Sequence, residues 1–165
     1  MIKKYIGEKN MKFYEILMEE GKKDGVVKNV VGGIIVNQNN EFLLLTRKRD
    51  DFYGGIDELP SGNMEENETI VEALTREIKE ETNLNVERIE NYINSFDYES
   101  RSGKKSREYN FSVKVKNVNN IKLSEHECYK WQSIEEVRRN PKITKEIKFT
   151  LEIYYFNLIE HNISF

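Results

Sequence analysis

GNMEENETIVEALTREIKEETNL, residues Gly62 to Leu84, decides how this chain is read. Thr69 followed three residues later by Glu72 has the form of a capping box, and no Gly or Pro interrupts the run before Asn83, which tolerates left-handed φ. The stretch is therefore predicted to be a helix of about four turns. At ~100° per residue, Ile70, Val71, Leu74 and Ile78 form one apolar stripe, while Glu72, Arg76 and Lys79 fall on the far, solvated side. Glu77 and Glu80 border the stripe, and Glu81 lies inside it. A carboxylate buried alone is costly, and neighbouring carboxylates repel one another until some take up protons. A divalent cation removes both penalties. Oxygen ligands at i, i+3 and i+4 of a rigid helix suit a hard ion, Mg²⁺ or Mn²⁺. The ordinary alternative is a solvated acidic face supported by i,i+4 pairs with Lys or Arg.

The stretch resembles the Nudix box, Gly-x5-Glu-x7-Arg-Glu-aliphatic-x-Glu-Glu-x-Gly-aliphatic, through Gly62, Glu68, Arg76, Glu77, Ile78, Glu80, Glu81 and Leu84. Only the late Gly departs, replaced by Asn83, and Asn is the next residue able to take a left-handed cap. Upstream, Val30 to Arg49 reads as two strands joined by a polar Asn-Gln-Asn-Asn turn, and Glu58 to Gly62, ELPSG, is similar to the family's Glu-Leu-Pro-Gly-Gly entry loop. Downstream, Glu125 to Trp131, EHECYKW, is similar to the acidic loop preceding a Trp near the family's C-terminal helix. The similarity covers about residues 28–160, so residues 1–27 are set apart as an N-terminal extension and 28–165 as the Nudix domain.

The resemblance implies an α/β fold in which a mixed β-sheet is sandwiched between helices. It implies hydrolysis of the pyrophosphate bond of a nucleoside diphosphate linked to a group X, with Mg²⁺ as cofactor and Mn²⁺ as its substitute. A (d)NTP or modified dNTP giving a nucleoside monophosphate and pyrophosphate is the first expectation. A nucleotide sugar or other nucleoside diphosphate derivative is the alternative, and a non-catalytic nucleotide-binding module is the competing class. Hydrolysis of ADP-ribose is disfavoured, because the Pro that such members often carry beyond the box is missing; Pro60 and Pro141 are the only prolines.

By the same resemblance Glu77, Glu80 and Glu81 hold the metal, with the Gly62 backbone close to metal or phosphate. Arg76, in helical register with Glu72 and Glu80, orients these ligands, and Glu68 serves the helix entry. The general base is a box glutamate or an acid on a later loop, for which Glu125 is the first candidate and Glu127 the second. Arg47 and Arg49 follow the apolar FLLL strand, where alternation aims both to one face, one of them as part of a phosphate clamp; a solvated strand end is the alternative. His126 is expected to be an ordinary surface histidine. Asp57 stands where many relatives carry an aromatic residue, so base stacking is not expected there.

Composition agrees with one small domain: 165 residues, 38% hydrophobic, net charge −3. That charge argues against a nucleic-acid footprint and leaves a small nucleotide as the expected partner. With a lone Cys128, no signal sequence and no apolar run of ~18 residues, a cytoplasmic chain without membrane contact is expected. Residues 11–23 are predicted to form an amphipathic helix with Phe13, Ile16 and Leu17 on one face, ending near Gly21 and packing on the domain or on a second copy in a homodimer. Arg88 to Asp97 and Glu108 to Val118 read as a hairpin with a basic loop, SRSGKKSR, suited to steering anions. Ser133 opens a short helix broken before Pro141, and Thr144 to Glu160 reads as a helix whose Tyr154, Tyr155 and Phe156 pack.

Overall fold

In the computed structural model, residues 8–163 are described, with side chains for residues 10–161; the first seven residues of the N-terminal extension and the last two of the chain lie outside the described residues. The elements run α1 (Glu8–Lys23), β1 (Lys28–Ile34), β2 (Phe42–Thr46), β3 (Asp57–Glu58), β4 (Ser61–Asn63), α2 (Ile70–Thr82), β5 (Val86–Glu99), β6 (Lys105–Val115), β7 (Cys128–Gln132), α3 (Ile134–Arg139) and α4 (Lys145–Ile163). The strands form a four-stranded sheet ordered β4-β1-β6-β5 and a three-stranded sheet ordered β3-β2-β7. β1 runs parallel to β6 and antiparallel to β4, so the larger sheet is mixed.

β2 is apolar on both faces because both faces are covered. Leu43 and Leu45 enter one core with Ile70, Leu74 and Ile78 of α2 and Tyr109 and Phe111 of β6. Phe42 and Leu44 enter the other, with Ile134 and Val137 of α3 and Ile147 and Leu151 of α4. Helices thus lie on both sides of the sheet layer, the α/β arrangement expected. Full burial of such Leu, Ile and Phe side chains contributes about 1.5–3 kcal/mol each.

α2 forms for the reasons read in its sequence. Thr69 accepts from the Glu72 N–H while Glu72 accepts from the Thr69 N–H, and Asn83 closes the helix at φ 63°. The same device starts α3, where Ser133 and Glu136 make a second capping box.

Several expectations shift. α1 runs through Gly21 to Lys23, and its buried face is Tyr14 and Leu17, whereas Phe13 and Ile16 are exposed. Gly21 lies under Tyr109, whose hydroxyl a Cβ there would overlap, so α1 packs on this chain's own β6. The hairpin is longer than its basic loop suggested: Lys105 and Arg107 belong to β6 and pair with Asp97, leaving residues 100–104 as the turn, with Gly103 at φ 73°. Tyr154 and Tyr155 pack on the α4 side of the core, whereas Phe156 is exposed. Among the described residues no helix is long and apolar enough to cross a membrane.

Candidate active site

Antiparallel pairing of β4 with β1 sets Gly62 opposite Val31 and holds the Ser61–Asn63 backbone over α2. Gly62 is needed there for space, because a Cβ would occupy the position of the Glu77 carboxyl group. One residue earlier, the Ser61 N–H donates to Glu81 Oε2 at 2.9 Å. The strand therefore holds Glu81 through a backbone N–H and makes room for Glu77 by having no side chain at Gly62.

Arg76, expected on the solvated side, is instead the hub of the acidic cluster. Its Nε and Nη2 donate to the two Glu68 oxygens at 2.7 and 2.8 Å, its Nη1 to Glu77 at 2.7 Å and Glu80 at 3.2 Å, and its Nη2 also to the Asn63 carbonyl at 2.9 Å. Glu72 is not its partner, since the capping box engages that carboxylate. The missed partner is Glu68, whose carboxyl the Arg76 hydrogen bonds hold below its ordinary range.

A second acidic layer comes from the other sheet. β2 pairs Leu45 with Glu58 on one edge and Thr46 with Cys128 on the other, and the Glu127 N–H donates to the Thr46 carbonyl at 2.9 Å. Ser124 Oγ donates to the Glu80 carbonyl at 2.8 Å, tying the loop before β7 to α2. His126 is therefore not a surface residue: its side chain is 5% exposed, and Nε2 lies 2.9 Å from Glu58 Oε1. Its Nδ1 is buried without a hydrogen-bond partner, 4.0 Å from Glu81 Oε1. Arg47 Nε donates to the same Glu58 oxygen at 2.7 Å.

Burial pushes the Glu81 carboxyl up to about 9, with the Ser61 N–H opposing and Glu58, Glu77 and Glu125 adding repulsion. Glu77 is also raised, by burial first, with Arg76 opposing and Glu80 and Glu125 adding to the rise. As the side chains stand, no group of three or more acidic, histidine or cysteine residues among the described residues closes around a metal ion. The reason is visible in the contacts: Arg76 draws Glu77 and Glu80 to itself, and Ser61 holds Glu81. The donor set nevertheless fits a hard divalent ion. It is rich in oxygen, gathered on one helix, short of positive charge at Glu81, and bordered by an unpartnered imidazole nitrogen.

Of the remaining expected residues, Glu125 is exposed on the loop, with its charge felt at both Glu77 and Glu81. Arg47 lines the adjoining cavity, but Arg49 does not share its face. β2 ends at Thr46 and the chain turns through residues 48–54, leaving Arg49 exposed. Asp57 is fully buried and accepts from Thr46, Lys130 and Asn140 at 2.6, 2.8 and 2.8 Å, so it is a structural tie for β3.

The model of the NUDIX domain matches residues 27–152. The chain belongs to the Nudix family. Over 82 residues, 50% of this chain and 43% of the relative, it is 39% identical to a protein named ADP-ribose pyrophosphatase from Methanocaldococcus jannaschii. Over 58 residues, 35% of this chain and 52% of the relative, it is 34% identical to an 8-oxo-dGTP diphosphatase from Proteus vulgaris. The chain thus spans about half the length of these curated relatives, or less. The crystal structure of MutT protein from Methanosarcina mazei Go1 matches with a TM-score of 0.70 at 26% identity, over 79% of this chain and 94% of that one. Nudix hydrolases generally use divalent metals, in keeping with the oxygen-rich donor set on α2. Within this Nudix domain, Glu58 and His126 are the site residues that sequence reasoning did not bring together. Each stood in a motif already singled out, but their pairing depends on β3 and β7 flanking β2.

Proposed function

We propose that this protein is a Mg²⁺-dependent pyrophosphohydrolase acting on a nucleoside diphosphate linked to X, with a (d)NTP or modified dNTP as first substrate class. The observation that carries this is the gathering of Glu77, Glu80 and Glu81 with Arg76 beneath the Ser61–Gly62 backbone, which lines a cavity together with Arg47. Glu77, Glu80 and Glu81, with Gly62 beside them, would hold the ion, and Mn²⁺ satisfies the same donors. When bound, a divalent cation neutralises charge on phosphate oxygens and makes water more acidic.

The residues then divide the work. Arg76 keeps the Glu77 and Glu80 carboxyl groups in register, the Ser61 N–H holds Glu81, and Gly62 leaves room for Glu77. Arg47, anchored on Glu58, presents positive charge to the substrate phosphates. Glu125 takes the proton from the attacking water as its oxygen bonds to phosphorus, and the bridging P–O bond breaks with its electron pair leaving on pyrophosphate. A second reading keeps the same bond cleavage but takes a nucleoside diphosphate sugar such as ADP-ribose, favoured by the name of the Methanocaldococcus jannaschii relative.

The test is product release from a panel of nucleoside triphosphates, modified dNTPs and nucleotide sugars, with Mg²⁺ and with chelator. Metal-dependent pyrophosphate from a triphosphate is expected. Release of two monophosphates from ADP-ribose alone would move the assignment to the second reading, and no release from any member would overturn hydrolysis.

A further inference from the structure

β6 carries an alternation that the Nudix box does not explain. Tyr109, Phe111 and Val113 face the core under α2, while Ser106, Glu108, Asn110 and Ser112 on the opposite face are also buried. Polar groups in such a position are ordinarily paired within the protein. Here Glu108 Oε1 and both polar side-chain atoms of Asn110 have no hydrogen-bond partner. Glu108 is only 8% exposed, so its carboxyl is desolvated without an internal partner to offset it.

Glu108 lines a cavity of about 530 Å³, a volume in the range of small-molecule sites. Strand register sets Phe96 opposite Glu108 and Tyr98 opposite Ser106, so two aromatic rings stand beside the carboxyl on the same wall. Phe52 and Tyr53, at the turn after β2, line the cavity too. Glu58, Ser61 and Gly62, the carboxylate and backbone that border the acidic cluster, line the same cavity. A flat ring among the aromatics and a phosphate chain at Gly62 therefore fit in one continuous space.

We infer that Glu108 reads the base of the substrate, its carboxyl acting as a neutral donor and acceptor side by side against the hydrogen-bonding edge of a nitrogen heterocycle packed on Phe96 and Tyr98. This rests on the nucleotide reading of the site and names which end of the nucleotide the β5–β6 wall holds. The electrostatics agree: burial, with repulsion from Glu58 and against Arg47, pushes Glu108 up to about 8, so the carboxyl keeps its proton at neutral pH. A protonated carboxyl and a carboxamide present the same donor–acceptor pair. A hydrophobic isostere presents neither, and removing an unpaired buried carboxyl does not threaten the fold.

The experiment is equilibrium binding of AMP, GMP, CMP and UMP to the full chain in chelator, with ribose 5-phosphate as the control lacking a base, for wild type, Glu108→Gln and Glu108→Leu. Wild type and Glu108→Gln are expected to prefer at least one nucleoside monophosphate over ribose 5-phosphate by about 10- to 100-fold. Glu108→Leu should lose most of that preference and bind the four nucleotides alike, keeping only the unselective gain from packing on Phe96 and Tyr98, while binding ribose 5-phosphate unchanged. Equal binding of nucleotides by Glu108→Leu and wild type would overturn the inference, as would loss of the preference in Glu108→Gln. Because no turnover is involved, an inactive protein with a Glu108-dependent preference would sink hydrolysis and keep base reading, whereas an active protein whose preference ignores Glu108 would do the reverse.

Discussion

Replacing Glu81 by Gln is expected to make the metal-free protein more stable and inactive at once. Glu81 is 7% exposed, and its burial raises the folded-state pKa to about 9. An unfolded Glu titrates near 4.3, so at pH 7 folding must take a proton up onto this carboxyl, at a cost of roughly 3–4 kcal/mol. The sign follows from the direction of the shift. A raised folded pKa favours folding fully only below the unfolded value, and that advantage is lost as pH climbs towards about 9. Gln does not titrate, and its carbonyl can still accept from the Ser61 N–H. Urea denaturation in chelator should therefore show the variant ahead of wild type by about 3 kcal/mol at pH 7 and by only about 1 kcal/mol at pH 5. With Mg²⁺ added, wild type should gain stability and hydrolyse substrate, while the variant should do neither. A variant no more stable than wild type at pH 7, or ahead by the same amount at both pH values, would refute the account of Glu81 as a desolvated carboxyl.

Gly62→Ala places a methyl group where the Glu77 carboxyl sits, and it should raise the Mg²⁺ concentration for half-maximal activity by about tenfold or more, read from a metal titration. Arg76→Gln strips both Glu68 and Glu77 of their counter-charge, and urea unfolding should show a loss of about 3 kcal/mol; an unchanged midpoint would mean that the cluster is solvated after all. Asp57→Ala leaves Lys130, Thr46 and Asn140 facing an empty position and should cost about 3–5 kcal/mol. Burial raises the Asp57 carboxyl, but Lys130, Thr46 and Asn140 outweigh it and hold the group below its ordinary value. Its stabilisation is therefore full above about pH 4 and disappears as pH falls through the folded value, so wild type and Asp57→Ala should converge in acid unfolding.

Glu58 and His126 mark where reading the chain in order stops working. Nothing along their 68-position separation in the chain says that they touch. The contact exists because β3 and β7 take opposite edges of β2 and the loop before β7 is pinned to α2 through Ser124. Arg76 illustrates a similar gap: helical spacing supplied Glu80, but Glu68 precedes the helix and reaches Arg76 only because the chain from β4 folds back along α2. Arg49 lies beyond the end of β2 at Thr46, where no strand enforces alternation.

The resemblance to the Nudix box implied the α/β fold and a close backbone approach at Gly62, while the sequence by itself determined α2 with both of its caps and the face on which Glu77, Glu80 and Glu81 lie. These depend on short-range periodicity and on backbone demands that single residues reveal. Tertiary structure alone decided that His126 is buried against Glu58, that Asp57 ties β3 to β7 and the end of α3, and that Glu108 is left unpaired beside an aromatic cavity. Strand order and register bring together side chains far apart in the chain, and no local pattern encodes which edge a strand will find.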